Sequence, residues 1–220
     1  MSRTAVVLGA SGLVGSDCLR LLLADESYER VHALVRRPLT IEHPKLSQHQ
    51  VRFDQLDAPA PYWSADAVFC ALGTTIKKAG SQEAFRVVDH DYPLAAGCSA
   101  ATAGAGVFLL ISSLGAGEHS RNFYLRVKGE TERDLSMAGL RSLVILRPSL
   151  ILGERAEHRP GESLAAIMMK PLSPLFRGPL LRYRPIPSEV IARTMVHMSG
   201  RAERGMVILE SEHIAEIGKA

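Results

Sequence analysis

Short apolar runs alternate with amphipathic stretches almost from the first residue of the chain. Runs of β-branched and aliphatic residues predict strands over 4–9 (TAVVLG), 30–35 (RVHALV), 49–53 (HQVRF), 66–72 (DAVFCAL), 106–112 (GVFLLIS), 141–147 (RSLVILR) and 205–210 (GMVILE). Several are apolar throughout instead of alternating, which suits strands buried on both faces of a parallel sheet. Helical periodicity covers 13–24, 81–104 with a break expected near Pro93, 121–138, 162–169 and 188–199. Gly139 supplies a stop signal for the third of these. Strands and helices taking turns imply right-handed β–α–β crossovers. The expectation is an α/β fold, a single doubly wound domain over 1–220 with a mostly parallel sheet of about seven strands and helices on both faces. The stretch 171–187 holds five prolines, so 155–187 reads as a loop or lid on the substrate side and not as a linker.

Composition narrows this picture. With 220 residues, 46% hydrophobic and 22% charged, the chain has enough apolar material for one ample domain and too much for disorder. A net charge of +3 speaks against a polybasic nucleic-acid surface. The three cysteines, Cys18, Cys70 and Cys98, form no C-x-x-C pair, which argues against a disulfide framework and leads to the expectation of a cytoplasmic protein. The segment from Pro93 to Gly117 carries no charge, but glycines interrupt it and small residues fill its first half. It reads as a small-residue helix feeding a buried strand, so no membrane partner is expected. Eight histidines lack ligand spacing, and no metal site is expected. Asp89, His90 and Asp91 read as a helix cap and surface, and Cys70 as core packing.

The candidate chemistry begins where the first strand runs into Gly9-Ala10-Ser11-Gly12-Leu13-Val14-Gly15 and a helix follows. In such a turn the first glycine permits the sharp bend and the second lets the backbone approach a pyrophosphate. The third lets the helix pack close to the sheet while its amide N–H groups face the anion. At the end of the second strand stand Arg36 and Arg37, where an NAD enzyme usually places an acidic residue for the ribose 2′-hydroxyl. Two guanidiniums suit a 2′-phosphate, so NADP(H) is favoured over NAD(H). Tyr124 and Lys128 are four residues apart on one face of a predicted helix, and the preceding strand ends in Ser112-Ser113. A lysine charge near a tyrosine lowers its pKa, and a serine hydroxyl can bind a substrate oxygen. Ser112, Ser113, Tyr124 and Lys128 are therefore the candidate catalytic group.

Taken together, the glycine turn, the arginine pair and the Ser–Tyr–Lys set resemble the short-chain dehydrogenase/reductase superfamily. The Gly-x-x-Gly-x-x-Gly spacing looks like its extended and atypical branches. More narrowly, the chain is similar to the Tat-interacting-protein-like branch of atypical NADPH-binding members. The similarity lies in GASGLVG (9–15), FCALGTT (69–75), VVDHDY (87–92), LLISSLGA (109–116), YLRVKGETE (124–132) and LRPSLILGER (146–155). The resemblance implies that Gly9, Ser11, Gly12, Leu13, Val14 and Gly15 wrap the pyrophosphate and that Arg36 and Arg37 hold the 2′-phosphate. It implies adenine contacts at Asp54 and Leu56, and places Ala71, Leu72, Gly73 and Thr74 beside the cofactor ribose. It further implies that Tyr124 donates the proton, that Lys128 binds the nicotinamide ribose and tunes Tyr124, and that Pro148 and Ser149 border the nicotinamide. Ser113 is preferred to Ser112 as the substrate-facing hydroxyl. The expected activity is reduction of a carbonyl-type small molecule by NADP(H). The alternative is an NADPH-binding regulatory or protein-interaction protein with little turnover. Family members are often dimers, but no interface can be read in the sequence, so the oligomeric state stays open, a homodimer among the options.

Overall fold

The computed structural model describes residues 2–153, 178–201 and 203–219. Its strands are β1 (Arg3–Leu8), β2 (Tyr28–Val35), β3 (Leu46–Gln50), β4 (Ala67–Cys70), β5 (Val107–Ile111), β6 (Ser142–Arg147), the short β7 (Ile151–Leu152) and β8 (Ile186–Pro187), and β9 (Gly205–Glu210). Its α-helices among the described residues are α1 (Leu13–Ala24), α2 (Ile76–Ala79), α3 (Gln82–Arg86), α4 (Tyr92–Thr102), α5 (Phe123–Ser136), α6 (Ser188–Ser199) and α7 (Ser211–Ile217). Seven strands form one sheet in the order β3-β2-β1-β4-β5-β6-β9, and every neighbouring pair is parallel. The order reverses direction beside β1, the position at which doubly wound sheets leave a ligand crevice.

The unbroken apolar runs are explained by two cores, one on each face. Ala5, Val7, Ala67, Phe69, Leu109 and Val144 meet Cys18 and Leu22 of α1 and Ile191 and Met195 of α6. The alternate residues Val6, Leu8, Val68, Cys70, Phe108 and Ile145 meet Trp63, Ala96 and Ala100 of α4, and Leu135 of α5. Burial pushes the Cys70 thiol up to about 12, as suits a packing residue. The charge-free segment 93–117 is divided between α4, a turn at Gly104 with φ of 73°, and β5. Among the described residues no helix is long and apolar enough to cross a membrane.

The sequence reading and the structure part in three places. The third strand occupies 46–50 instead of 49–53, because Val51 and Phe53, the apolar residues of HQVRF, leave the sheet edge to pack in the second core. No break occurs at Pro93. A π-helical turn, Val87–Asp91, widens the helix immediately before it and joins α3 to α4 without interruption. Proline cannot bond to the carbonyl four residues back, here that of Asp89; the Thr131 hydroxyl, which also faces the Val127 carbonyl at 2.8 Å, lies 3.0 Å from it. The short α2 and α7 were not anticipated. The helix expected at 162–169 and most of the expected lid, 155–177, lie outside the described residues. Its last part, 178–187, forms a 3₁₀ turn (Gly178–Tyr183) and then β8, which pairs with β7.

The β2–β3 edge carries a histidine pair. His32 Nδ1 lies 2.9 Å from His49 Nε2, and the Tyr62 ring packs on both imidazoles. Burial holds both imidazoles below the ordinary 6.5, with His49 and Arg30 adding to the effect on His32. The unfolded chain therefore takes up these protons at a higher pH than the native state, so stability present above 6.5 is lost as pH falls below it. Calorimetric melting should show the midpoint falling from about pH 7 to about pH 5, and falling less in His49→Gln. Equal slopes in the two proteins would show that the pair is not the cause.

Candidate active site

The carboxyl ends of β1, β2, β4, β5 and β6 bring most of the sequence-predicted residues to one edge of the sheet. Gly9 turns the chain with φ of 82°, and a Cβ there would lie 2.5 Å from the Ala71 carbonyl oxygen. The Gly12 N–H donates to the Gly9 carbonyl at 2.8 Å. A Cβ on Gly15 would lie 2.1 Å from that same carbonyl oxygen, so α1 seats directly on the turn only because Gly15 has no side chain. Gly12 caps α1 without a side-chain acceptor, which leaves first-turn amides to bind an anion. Ser11 is exposed and Leu13 half-buried, whereas the Val14 side chain belongs to the first core. A bound dinucleotide thus fits this turn: Gly9 and Gly15 let the turn and α1 close tightly on one another, and the uncapped helix start leaves its amides open to an anion.

Around it the other expected positions divide. Arg36 and Arg37 are exposed beyond β2, and among the described residues their guanidiniums have no hydrogen-bonded or ionic partner. Asp54 is exposed and paired with Arg52 at 2.6 Å. Leu56 is 2% exposed and packs in the second core, while its carbonyl accepts from the Ser99 hydroxyl at 2.9 Å. Ala71, Leu72 and Thr74 are half-buried and Gly73 exposed at the end of β4. Pro148 is buried, with its carbonyl accepting from the Leu114 N–H. The Ser149 hydroxyl donates to the Arg184 carbonyl, and its N–H donates to the Ser211 hydroxyl at 3.1 Å.

Asn122 starts α5 by accepting from the Leu125 N–H at 3.2 Å. A Cβ on Gly129 would meet the Gly117 backbone at 2.2 Å, so α5 lies against the loop after β5. This fixes Tyr124 one turn before Lys128. The half-buried Tyr124 ring lies against Phe85, with centroids 5.7 Å apart. Lys128 is 5% exposed, with its Nζ 2.8 Å from Asp89 Oδ1 and 3.5 Å from the Ile111 carbonyl oxygen. Burial pushes the ammonium down, but Asp89 first and Tyr124 next outweigh it and hold Lys128 above the ordinary lysine value. The two serines differ. Ser112 is buried and donates to Glu132, which also pairs with Arg147, whereas among the described residues the Ser113 hydroxyl has only a 3.5 Å contact with its neighbour's carbonyl.

Asp89 corrects the sequence reading, which placed it at a cap or on the surface. It is 1% exposed, and its Oδ2 accepts from the Thr74 N–H at 2.8 Å. His90 is likewise buried, held between Asp91 at 2.7 Å and Asp134 at 2.8 Å; only Asp91 lies exposed as expected. The signal available in the sequence was Pro93, four residues beyond Asp89, inside a helical pattern.

A glycine turn feeding an uncapped helix at the carboxyl edge of a parallel sheet, beside a buried Lys and a Tyr one turn away, defines a Rossmann-type dinucleotide-binding protein. A family model described as NAD(P)H-binding matches residues 9–163. Protein HTATIP2 of Rattus norvegicus is 34% identical over 223 residues, covering 99% of this chain and 90% of its own. The mitochondrial protein FMP52 of Eremothecium gossypii is 33% identical, with 98% and 97% covered. The chain belongs to the NAD(P)H-binding family, in the HTATIP2-like branch of the atypical short-chain dehydrogenases/reductases. Among solved structures, the Bordetella bronchiseptica enzyme WbmH in complex with NAD+ matches with a TM-score of 0.71 at 17% identity, covering 100% of this chain and 80% of that one, which shows the shared fold. The cytoplasmic expectation is overturned: several fungal FMP52 relatives are named mitochondrial. Unpaired cysteines argue against an oxidising compartment but do not separate the cytosol from a reducing organelle.

Proposed function

We propose that this protein is an NADP(H)-dependent oxidoreductase that reduces a carbonyl-type small molecule. The observation that carries the reading is the buried Lys128, held charged by Asp89 one helical turn from Tyr124. The bound nicotinamide supplies the hydride. The amides at the start of α1 bind the pyrophosphate, and Arg36 and Arg37 hold a 2′-phosphate that no carboxylate at the end of β2 repels. Ala71 to Thr74 flank the ribose, while Pro148 and Ser149 border the nicotinamide side. Ser113 donates a hydrogen bond to the substrate oxygen, and Tyr124 gives that oxygen its proton. The Lys128 charge stabilises the phenolate left behind.

Thermal unfolding tests the cofactor half of this reading. NADPH at about 100 times its dissociation constant adds about 2.7 kcal/mol to the native state, a rise of about 5–11 °C in the melting midpoint for a chain of this size. NADH at the same concentration should give a much smaller rise. In Arg36→Ala/Arg37→Ala the NADPH shift should collapse to the NADH value. Equal losses for both cofactors would sink the 2′-phosphate assignment, and no shift with either in cofactor-free protein would overturn the enzyme reading.

A further inference from the structure

Resting on the reading of Tyr124 and Lys128 as the proton-transfer pair, we infer that Asp89 is the positioning residue of this site: it holds the Lys128 ammonium from α5 and the Thr74 amide from the end of β4 in one fixed arrangement. Groups from two separate elements face it, the Lys128 ammonium forming an ion pair with Oδ1 and the Thr74 N–H donating a hydrogen bond to Oδ2, each at 2.8 Å. Its own carbonyl lies 3.0 Å from the Thr131 hydroxyl of α5, a donor it shares with the Val127 carbonyl. Asp89 is thus bonded by backbone and side chain to the catalytic helix and by side chain to the proposed ribose turn.

The wide turn at 87–91 builds this strut. Pro93 removes the usual i→i−4 bond to the Asp89 carbonyl, and the extra residue of the π turn carries the Asp89 side chain to its 1% exposure. Both facing groups are donors, so only an acceptor-only side chain satisfies them. Asparagine of the same shape must aim its NH₂ at one of them. The ionisable groups bearing on the ammonium are Asp89 from the π turn, Tyr124 from α5 and Cys70 from β4. Cys70 stays neutral, its thiol pushed up to about 12. His90 pairs with both Asp91 and Asp134, and Arg133 with Asp134, beside the turn. Asp89 is therefore the carboxylate that offsets the burial of Lys128.

The consequence is a lysine that keeps its charge, and hence its grip on the cofactor, well into alkaline solution. NADPH affinity, read by fluorescence titration at about pH 6.5 and about pH 9, tests it. In the wild type the two affinities should agree within about threefold. In Asp89→Asn, burial acts on Lys128 with its carboxylate partner gone, and affinity should fall about tenfold or more between the two conditions, as for a lysine whose pKa has dropped to about one unit below the higher pH. Asp89→Glu keeps the charge and both acceptors, so its affinity should be lower overall but as flat with pH as the wild type. This variant carries the test if the asparagine protein does not fold. A pH profile of Asp89→Asn parallel to the wild type, or a steep one for Asp89→Glu, would reduce Asp89 to packing. Wild-type protein that binds no NADPH at either pH would instead remove the oxidoreductase reading, and this inference with it.

Discussion

Gly15→Ala is expected to abolish the NADPH-dependent thermal shift and to lower the stability of the unliganded protein. The added methyl would meet the Gly9 carbonyl oxygen at 2.1 Å and the Gly9 carbonyl carbon at 2.6 Å. Both are backbone atoms of the turn that bends at φ of 82°, so no side chain can rotate away. Either α1 slides outward from the first core, where Cys18 and Leu22 are buried, or the turn opens. Overpacking of this kind costs about 1–3 kcal/mol, a fall of about 2–12 °C in the melting midpoint. The first-turn amides then no longer converge on one point, and anion binding goes with them. Gly12→Ala is the contrast: its Cβ would stand 3.1 Å from the Gly9 oxygen, with backbone angles that alanine adopts. That variant should melt close to the wild type. Calorimetry of both variants with and without NADPH checks this, and an intact NADPH shift in Gly15→Ala would mean that the cofactor is not held on this turn.

The legible parts of this protein are those whose cause is local. Strands buried on both faces have to be apolar at every position, so all seven strands of the main sheet could be read, and α1 and α6 fell on the predicted residues. Both edge strands depart from this: β9 leaves Met206 and Ile208 exposed but keeps an apolar run, whereas β3 is made of half-buried and exposed residues, LSQHQ, whose apolar neighbours are used elsewhere. The glycine turn and the Tyr124–Lys128 spacing are local too. Asp89 is not. Its role depends on Thr74, 15 residues before it, and on Lys128 in another helix, and nothing in the tripeptide Asp89-His90-Asp91 separates the buried carboxylate from the exposed one. The difference between the serines was hidden for the same reason, since Ser112 is spent on Glu132, 20 residues away. Leu56 shows the converse: a position that family resemblance links to adenine has its side chain in the core.

Tyr124→Phe should leave NADPH binding and melting almost unchanged and reduce turnover by about 10²–10⁴-fold, the range expected for loss of one positioned general acid. The ring packs on Phe85, and phenylalanine retains that contact, so the variant tests the hydroxyl and little else. The carbonyl oxygen that receives hydride at its carbon must also receive a proton. Tyr124 has the Lys128 charge one turn away to stabilise the phenolate left behind, which makes it the donor to test. The measurement is NADPH consumption against a panel of aldehydes, ketones and quinones, with affinity for NADPH determined in parallel. Loss in kcat with unchanged NADPH affinity assigns Tyr124 to the chemical step. An activity that survives the substitution would remove Tyr124 as the donor. A wild type that binds NADPH tightly yet turns over nothing in the panel would favour the regulatory alternative, in which the same buried Lys128–Asp89 pair serves to hold the cofactor and the bound form is the one a partner recognises.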